Sequence, residues 1–159
     1  MDKDTILVSQ KEYDKKLKQF NELKKKLNDI SRSKIAAAYN DTGNTWHDNF
    51  AYEQLDMQEE GILNQLSDMQ ESISKYKVIE AKSKDNKKVD VYDKIQLKFI
   101  YDINDYEIVE LELGSDDIDT GISMDSPLGR QIYMKTYGET VEYEVNGNIV
   151  KVQIMKKLN

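Results

Sequence analysis

Apolar side chains return at intervals of three and four through the first half of the chain. Tyr13, Leu17, Phe20, Leu23, Leu27 and Ile30 form one series. Tyr52, Leu55, Ile62, Leu66, Met69, Ile73 and Tyr76 form a second, with Glu59 at its single non-apolar position. This is the spacing of a helix with one buried stripe, and the second series comes close to a heptad seam. It predicts one helix over about 9–39 and another ending near residue 76. No proline and only two glycines, Gly43 and Gly61, occur in this half. Between the series, residues 40–49 read Asn-Asp-Thr-Gly-Asn-Thr-Trp-His-Asp-Asn, a run of turn formers that neither helix can extend through comfortably. An antiparallel helical hairpin follows. At about 1.5 Å per residue, an arm of about thirty residues spans roughly 45 Å, more than a compact domain of this length needs.

Beyond residue 76 the period changes to two. Ile95, Leu97 and Phe99 alternate with polar residues, 108–113 alternates again, and 140–145 and 149–155 flank Asn146-Gly147, a strong hairpin-turn pair. Around 126–134, Ser126 is placed to cap a short helix and Pro127, the only proline, suits its first turn. Leu128, Ile132 and Tyr133 give that helix an apolar face. Residues 82–88 are polar and read as a loop. The expected fold class is α+β: a coiled-coil hairpin over 1–76 with its tip near 40–49, then an antiparallel β domain with one short helix over 77–159.

Composition narrows the function. Of 159 residues, 38% are hydrophobic and 33% charged, so any core is modest. No stretch of eighteen apolar residues and no charged-then-apolar leader occurs, which predicts a cytoplasmic protein without a membrane partner. The absence of cysteine excludes disulfides, thiolate metal sites and thiol nucleophiles, and the lone His47 excludes a multi-histidine zinc site. A net charge of −7 argues against wrapping free nucleic acid. Residues 1–76 hold eleven basic and fourteen acidic side chains, and 77–159 hold twelve and sixteen, so neither half is basic overall. Seven lysines nevertheless cluster between Lys11 and Lys26.

Residues 113–133, LGSDDIDTGISMDSPLGRQIY, carry a specific resemblance. A long helical hairpin, then Gly114-Ser115-Asp116-Asp117, Gly121-Ile122-Ser123, Ser126-Pro127-Leu128-Gly129-Arg130 and a last hairpin are similar, over nearly the whole chain, to the bacterial Gre transcript-cleavage factors. The resemblance implies an FKBP-like C-terminal domain that binds RNA polymerase at the rim of its secondary channel through Asp125, Ser126 and Pro127. It also implies a hairpin that enters the channel. In cleavage-competent members two tip acids, three positions apart, help hold a Mg²⁺ shared with the polymerase active site, so that the polymerase hydrolyses its own backtracked transcript. The implied protein is an accessory factor without an active site of its own. It works as a monomer, with RNA polymerase and the nascent RNA 3′ end as partners and no cofactor bound alone.

The tip departs from the family pattern. Matching Asn49 and Tyr52 to the usual asparagine and tyrosine places Asp48 at the second acid and Thr45 at the first; shifting by one puts Trp46 and Asn49 there. Asp48 is then the candidate metal ligand, with Asn44, Asn49 or His47 completing a weakened catalytic site. An N-cap role for Asp48 is the alternative. Trp46 is a candidate tip contact, either stacking on a partner or folding back on Tyr39 or Phe50. Lys15, Lys18 and Lys25 are candidate RNA contacts, unless the lysines instead pair with glutamates of the other arm. Stimulated transcript cleavage is the function expected. Two alternatives are a channel-occluding modulator and a coiled-coil interaction module independent of polymerase; a prolyl isomerase and a paralogue that regulates nucleoside diphosphate kinase fit less well.

Overall fold

The computed structural model describes residues 4–40, 49–82 and 86–159. They form two compact units: Lys16–Lys75, and the described residues of Met1–Lys15 together with Tyr76–Asn159.

The first unit is helical, made by most of α1 (Gln10–Asn40) and by α2 (Phe50–Ser74). Contacts between them run in opposite senses, Ser31 with Glu59, Lys34 with Asp56 and Ala37 with Asn49, so the pair is antiparallel. Phe20, Leu23 and Leu27 of α1 and Leu55, Leu66, Met69 and Ile73 of α2 are half-buried, and Ile30 and Ile62 are buried. Leu17 of the apolar series falls outside the seam and is exposed, because the packed stripe runs through Lys16 and Phe20 instead.

Glu59, the polar interruption of the heptad, is met by polar partners. Ser31 Oγ donates to it at 2.9 Å and the Lys34 ammonium pairs with it and, at 2.6 Å, with Asp56. These bonds, Lys34 first and Ser31 second, lower the Glu59 carboxyl below its ordinary range, and the same carboxylates raise Lys34. A half-buried charge in a seam is tolerated only against its matching partner, so this layer favours one register of the two helices over its neighbours.

The second unit holds two sheets. β3 (Lys94–Asp102), β4 (Asp105–Leu113), β5 (Gly121–Ile122), β6 (Thr140–Val145) and β7 (Asn148–Lys157) form a five-stranded sheet in the order β5-β4-β3-β7-β6. Its pairs are antiparallel except β4 with β5, which departs from the all-antiparallel expectation because residues 114–120 return the chain alongside β4 in the same direction. Side chains of one face alternate inward: Leu97 lies opposite Val109 on one side and Ile154 on the other, and Phe99 opposite Val152. Asn146 and Gly147 both have positive φ, as a two-residue hairpin turn of this kind requires. α3 (Pro127–Ile132) closes the core with Leu128 and Ile132.

The smaller sheet pairs β1 (Ile6–Ser9) in parallel with β2 (Tyr76–Ile79). The expected boundary at 76 assigns residues 1–76 to the hairpin, whereas the described residues up to Lys15 cluster with the C-terminal unit. The reason lies in bonds made by the start of α1. The fully buried Ser9 donates from Oγ to the Gly114 carbonyl at 2.5 Å, and the Lys11 N–H donates to the Tyr92 hydroxyl at 3.2 Å. Gly114 has φ +74, and a Cβ there would lie 2.8 Å from Ser9 Cβ and 2.9 Å from Val91 Cγ2. Only glycine permits so close an approach.

Residues 89–93, which alternation of two valines alone did not mark as structured, run inside this unit. Val89 and Val91 are buried, and Asp90 and Asp93 are buried carboxylates. Asp93 accepts from the Asp90 N–H at 2.9 Å and the Tyr137 hydroxyl at 2.8 Å and pairs with Lys157 at 2.6 Å, so its charge is compensated. Burial, and then the bond to Asp93, raise the Tyr137 phenol well above its ordinary value.

Candidate functional site

In the C-terminal unit the motif residues gather in one stretch between β4 and α3. Asp117 accepts from the N–H groups of Asp119 (2.8 Å) and Thr120 (3.0 Å), and these backbone bonds, Thr120 foremost, hold its carboxyl below the usual range. That turn raises Ile118 into solvent, 92% exposed among three aspartates. After β5 the chain folds tightly on Ser123. Its Oγ accepts from the Asp125 N–H at 3.2 Å, and its carbonyl accepts from the Ser126 N–H (3.2 Å) and hydroxyl (2.7 Å).

Ser126 caps α3, its Oγ accepting from the Gly129 N–H at 2.9 Å, with Pro127 in the first turn as the sequence suggests. A Cβ on Gly129 would meet the Ser123 carbonyl oxygen at 2.0 Å, so this turn and its glycine are inseparable. Asp125 is gripped by the Arg130 guanidinium, with Nε at 2.9 Å from Oδ1 and a second nitrogen on the same oxygen. Leu128 and Ile132 anchor the helix in the core while Pro127 stays exposed. Asp125, Ser126 and Pro127, the residues expected to touch polymerase, are therefore consecutive members of one short, internally bonded turn. The grip of Arg130 on Asp125 was not legible from the sequence, because a spacing of five becomes a contact only once Ser126 starts a helix.

After residue 40 the described residues begin again at Asn49. Asn49 is the N-cap of α2, its Oδ1 accepting from the Tyr52 N–H at 3.1 Å, which corrects the alternative that Asp48 caps this helix. Its Nδ2 donates to the Ala37 carbonyl at 3.2 Å, so the side chain also joins the two arms. Asn44, Trp46, His47 and Asp48 lie outside the described residues. Among the described residues no group of three or more His, Cys, Asp or Glu side chains is placed to hold a metal ion.

The candidate RNA contacts separate. Lys15 donates to the Asp116 carbonyl at 3.1 Å in the C-terminal unit, whereas Lys18 and Lys25 are exposed on the helical one. Among the described residues the ion pairs between arms are those of Lys34, and none joins Lys18 or Lys25 to a glutamate of α2. No helix of the described residues is long and apolar enough to cross a membrane.

Residues 84–157 match the sequence model of the family described as transcription elongation factor, GreA/GreB, C-terminal domain. No curated protein sequence matches the chain significantly. Among solved structures, the chain is similar to the GreA factor homolog 1 protein of Thermus thermophilus, with 12% identity and a TM-score of 0.42 over 98% of this chain and 99% of that one. The Thermus aquaticus protein of the same name gives 12% and 0.41 over 98% and 99%. A GreA/GreB elongation factor from Nitrosomonas europaea gives 16% and 0.40 over 67% of this chain and 93% of that one.

Proposed function

We propose, from the premise that this chain carries the C-terminal domain of the GreA/GreB transcription elongation factors, that it is an accessory factor which binds RNA polymerase and acts on backtracked transcripts. The observation that carries this reading is the match over 84–157, which contains the whole Asp125-Ser126-Pro127 turn with its Ser126 cap. In this reading the turn binds at the rim of the secondary channel and the paired helices enter it, bringing residues 41–48 to the polymerase active centre. Asp48 supplies a carboxylate, and Asn44 or His47 a polar neighbour, toward a Mg²⁺ ion that the polymerase itself largely holds. Carboxylate and amide oxygens are the donors that this hard cation takes. Bound there, the ion activates water for hydrolysis of the transcript. Lys18 and Lys25 offer charge to RNA phosphates on the way.

A second reading is favoured by two specific observations. Neither register restores the paired tip acids of the family pattern, whose positions fall on Thr45 and Asp48 or on Trp46 and Asn49, and the Asn49 amide is engaged at both ends as a cap and a cross-arm bond. A factor with so reduced a ligand set would occupy the channel and modulate the polymerase without promoting cleavage. Both readings are tested by transcript cleavage in a deliberately backtracked elongation complex, with and without the protein, across a Mg²⁺ titration. Stimulated release of short 3′ fragments that is lost in Asp48→Ala supports the cleavage factor. Binding without stimulated release supports the occluding one, and no binding to polymerase overturns both.

A further inference from the structure

The two carboxylate oxygens of Glu12 serve different parts of the fold. Ser9 and Glu12 form a capping box at the start of α1, the Glu12 N–H donating to Ser9 Oγ at 3.1 Å and the Ser9 N–H donating to Glu12 Oε2 at 2.8 Å. Such a box needs only one carboxylate oxygen. The other, Oε1, accepts from the backbone N–H of Met124 at 3.0 Å, a residue 112 positions away in the chain.

Met124 immediately precedes the Asp125-Ser126-Pro127 turn. The Asp125 and Ser126 N–H groups donate within the turn, to Ser123 Oγ and to the Ser123 carbonyl, and Pro127 has none to donate. Of these backbone donors, the Met124 N–H is thus the one tied to another element. Its side chain is sunk in the core at 1% exposure, so side chain and backbone are fixed from opposite directions. Tyr76 lies in the same neighbourhood, its phenol raised by burial first and then by the Asp125 and Glu12 carboxylates.

We propose that Glu12 is a positioning residue for the polymerase-binding turn: with one carboxylate it fastens the backbone at Met124 to the first turn of α1 and holds Asp125, Ser126 and Pro127 in the conformation that the partner meets. This rests on the reading of that turn as the polymerase contact. A glutamine at this position has one acceptor oxygen and one amide donor, so it cannot accept from Ser9 and Met124 in the same way. An aspartate is one methylene too short to span both.

The test is amide hydrogen exchange of the full chain by NMR, paired with affinity for RNA polymerase, on wild type and Glu12→Gln. Loss of a charge-assisted bond of this kind speeds Met124 exchange roughly tenfold. The amide chemical shift of Leu97 in the sheet centre stays in place, which a rearranged core would not allow. Polymerase affinity falls several-fold while the effect at saturating factor equals that of wild type. Unchanged Met124 exchange overturns the clamp, and faster exchange with unaltered affinity overturns its role in binding. Should Glu12→Gln fail to fold, wild type alone decides: Met124 exchanging at the rate of an unstructured peptide refutes the proposal. A wild type that binds no polymerase refutes the docking reading and the proposed role in binding, and the exchange data then judge the clamp by themselves.

Discussion

Replacing Gly114 by alanine probes the joint between β4, β1 and the start of α1. Two costs add. A residue with a Cβ at φ +74 pays about 1–2 kcal/mol for the left-handed conformation. The new methyl carbon would also stand 2.8 Å from Ser9 Cβ and 2.9 Å from Val91 Cγ2, and overpacking a full core site costs about 1–3 kcal/mol. Both neighbours belong to buried residues, Ser9 at 0% and Val91 at 2% exposure, so neither has free space to move into. The sum, about 2–5 kcal/mol, is a large part of the roughly 5–15 kcal/mol that holds ordinary domains together. Urea unfolding followed by far-ultraviolet circular dichroism and by amide signals of the C-terminal unit measures it. Gly147→Ala supplies the control, because Gly147 has φ +80 but nothing within 4 Å of an added Cβ. It should lose the conformational part alone, about 1–2 kcal/mol. Equal losses at the two positions would show that the contact of Gly114 with Ser9 and Val91 carries no energy, and the packing argument would fail.

Gly61 sits inside α2 with nothing within 4 Å of an added Cβ, so Gly61→Ala should stabilise the helical unit by about 0.5–1 kcal/mol in thermal melts of helicity; destabilisation would count against the described exposure. Asn49→Ala removes both the α2 cap and the bond to Ala37, and a loss of about 1–2 kcal/mol in the same melts is expected, with a neutral result refuting the cap. At alkaline pH the fold favours protonated Tyr137, whose phenol is raised by burial and by Asp93. That contribution is complete below the ordinary tyrosine value near 10 and is lost as pH rises through the higher folded value, so the urea midpoint should fall above about pH 10, less steeply in Tyr137→Phe. An equally steep fall in the variant would contradict the assignment. At acid pH the lowered Glu59 carboxyl contributes stability above the ordinary glutamate value, about 4.3, that is lost as pH falls through the folded value. Acid melts of helicity should therefore shift in Glu59→Gln, and identical acid transitions would refute the polar layer.

Periodicity alone determined a good deal of this protein. Helices over about 9–39 and ending near 76 correspond to α1 and α2, and the alternating runs correspond to β3, β4, β6 and β7, because each of these elements buries one face and must repeat its apolar residues at the period of its backbone. The Ser126 cap and the Asn146-Gly147 turn were legible for the same local reason: capping and turn geometry are set by a few adjacent residues. The motif over 113–133 lies within residues 84–157, the part of the chain that matches the GreA/GreB C-terminal domain model.

Tertiary structure alone decided what depended on residues far apart in the chain. Ile6 to Ser9 is too short a run to announce a strand, and it becomes one only by pairing with Tyr76 to Ile79. The capping box of Ser9 and Glu12 is local, but nothing in those adjacent residues says that the spare oxygen of Glu12 reaches Met124. Glu59 reads as a flaw in a heptad until Ser31 and Lys34 are brought opposite it. A sequence fixes the period of each element and the chemistry of its ends, because those are local. Which polar group meets which across 28 or 112 positions is settled only when burial makes every unpaired donor and charge costly.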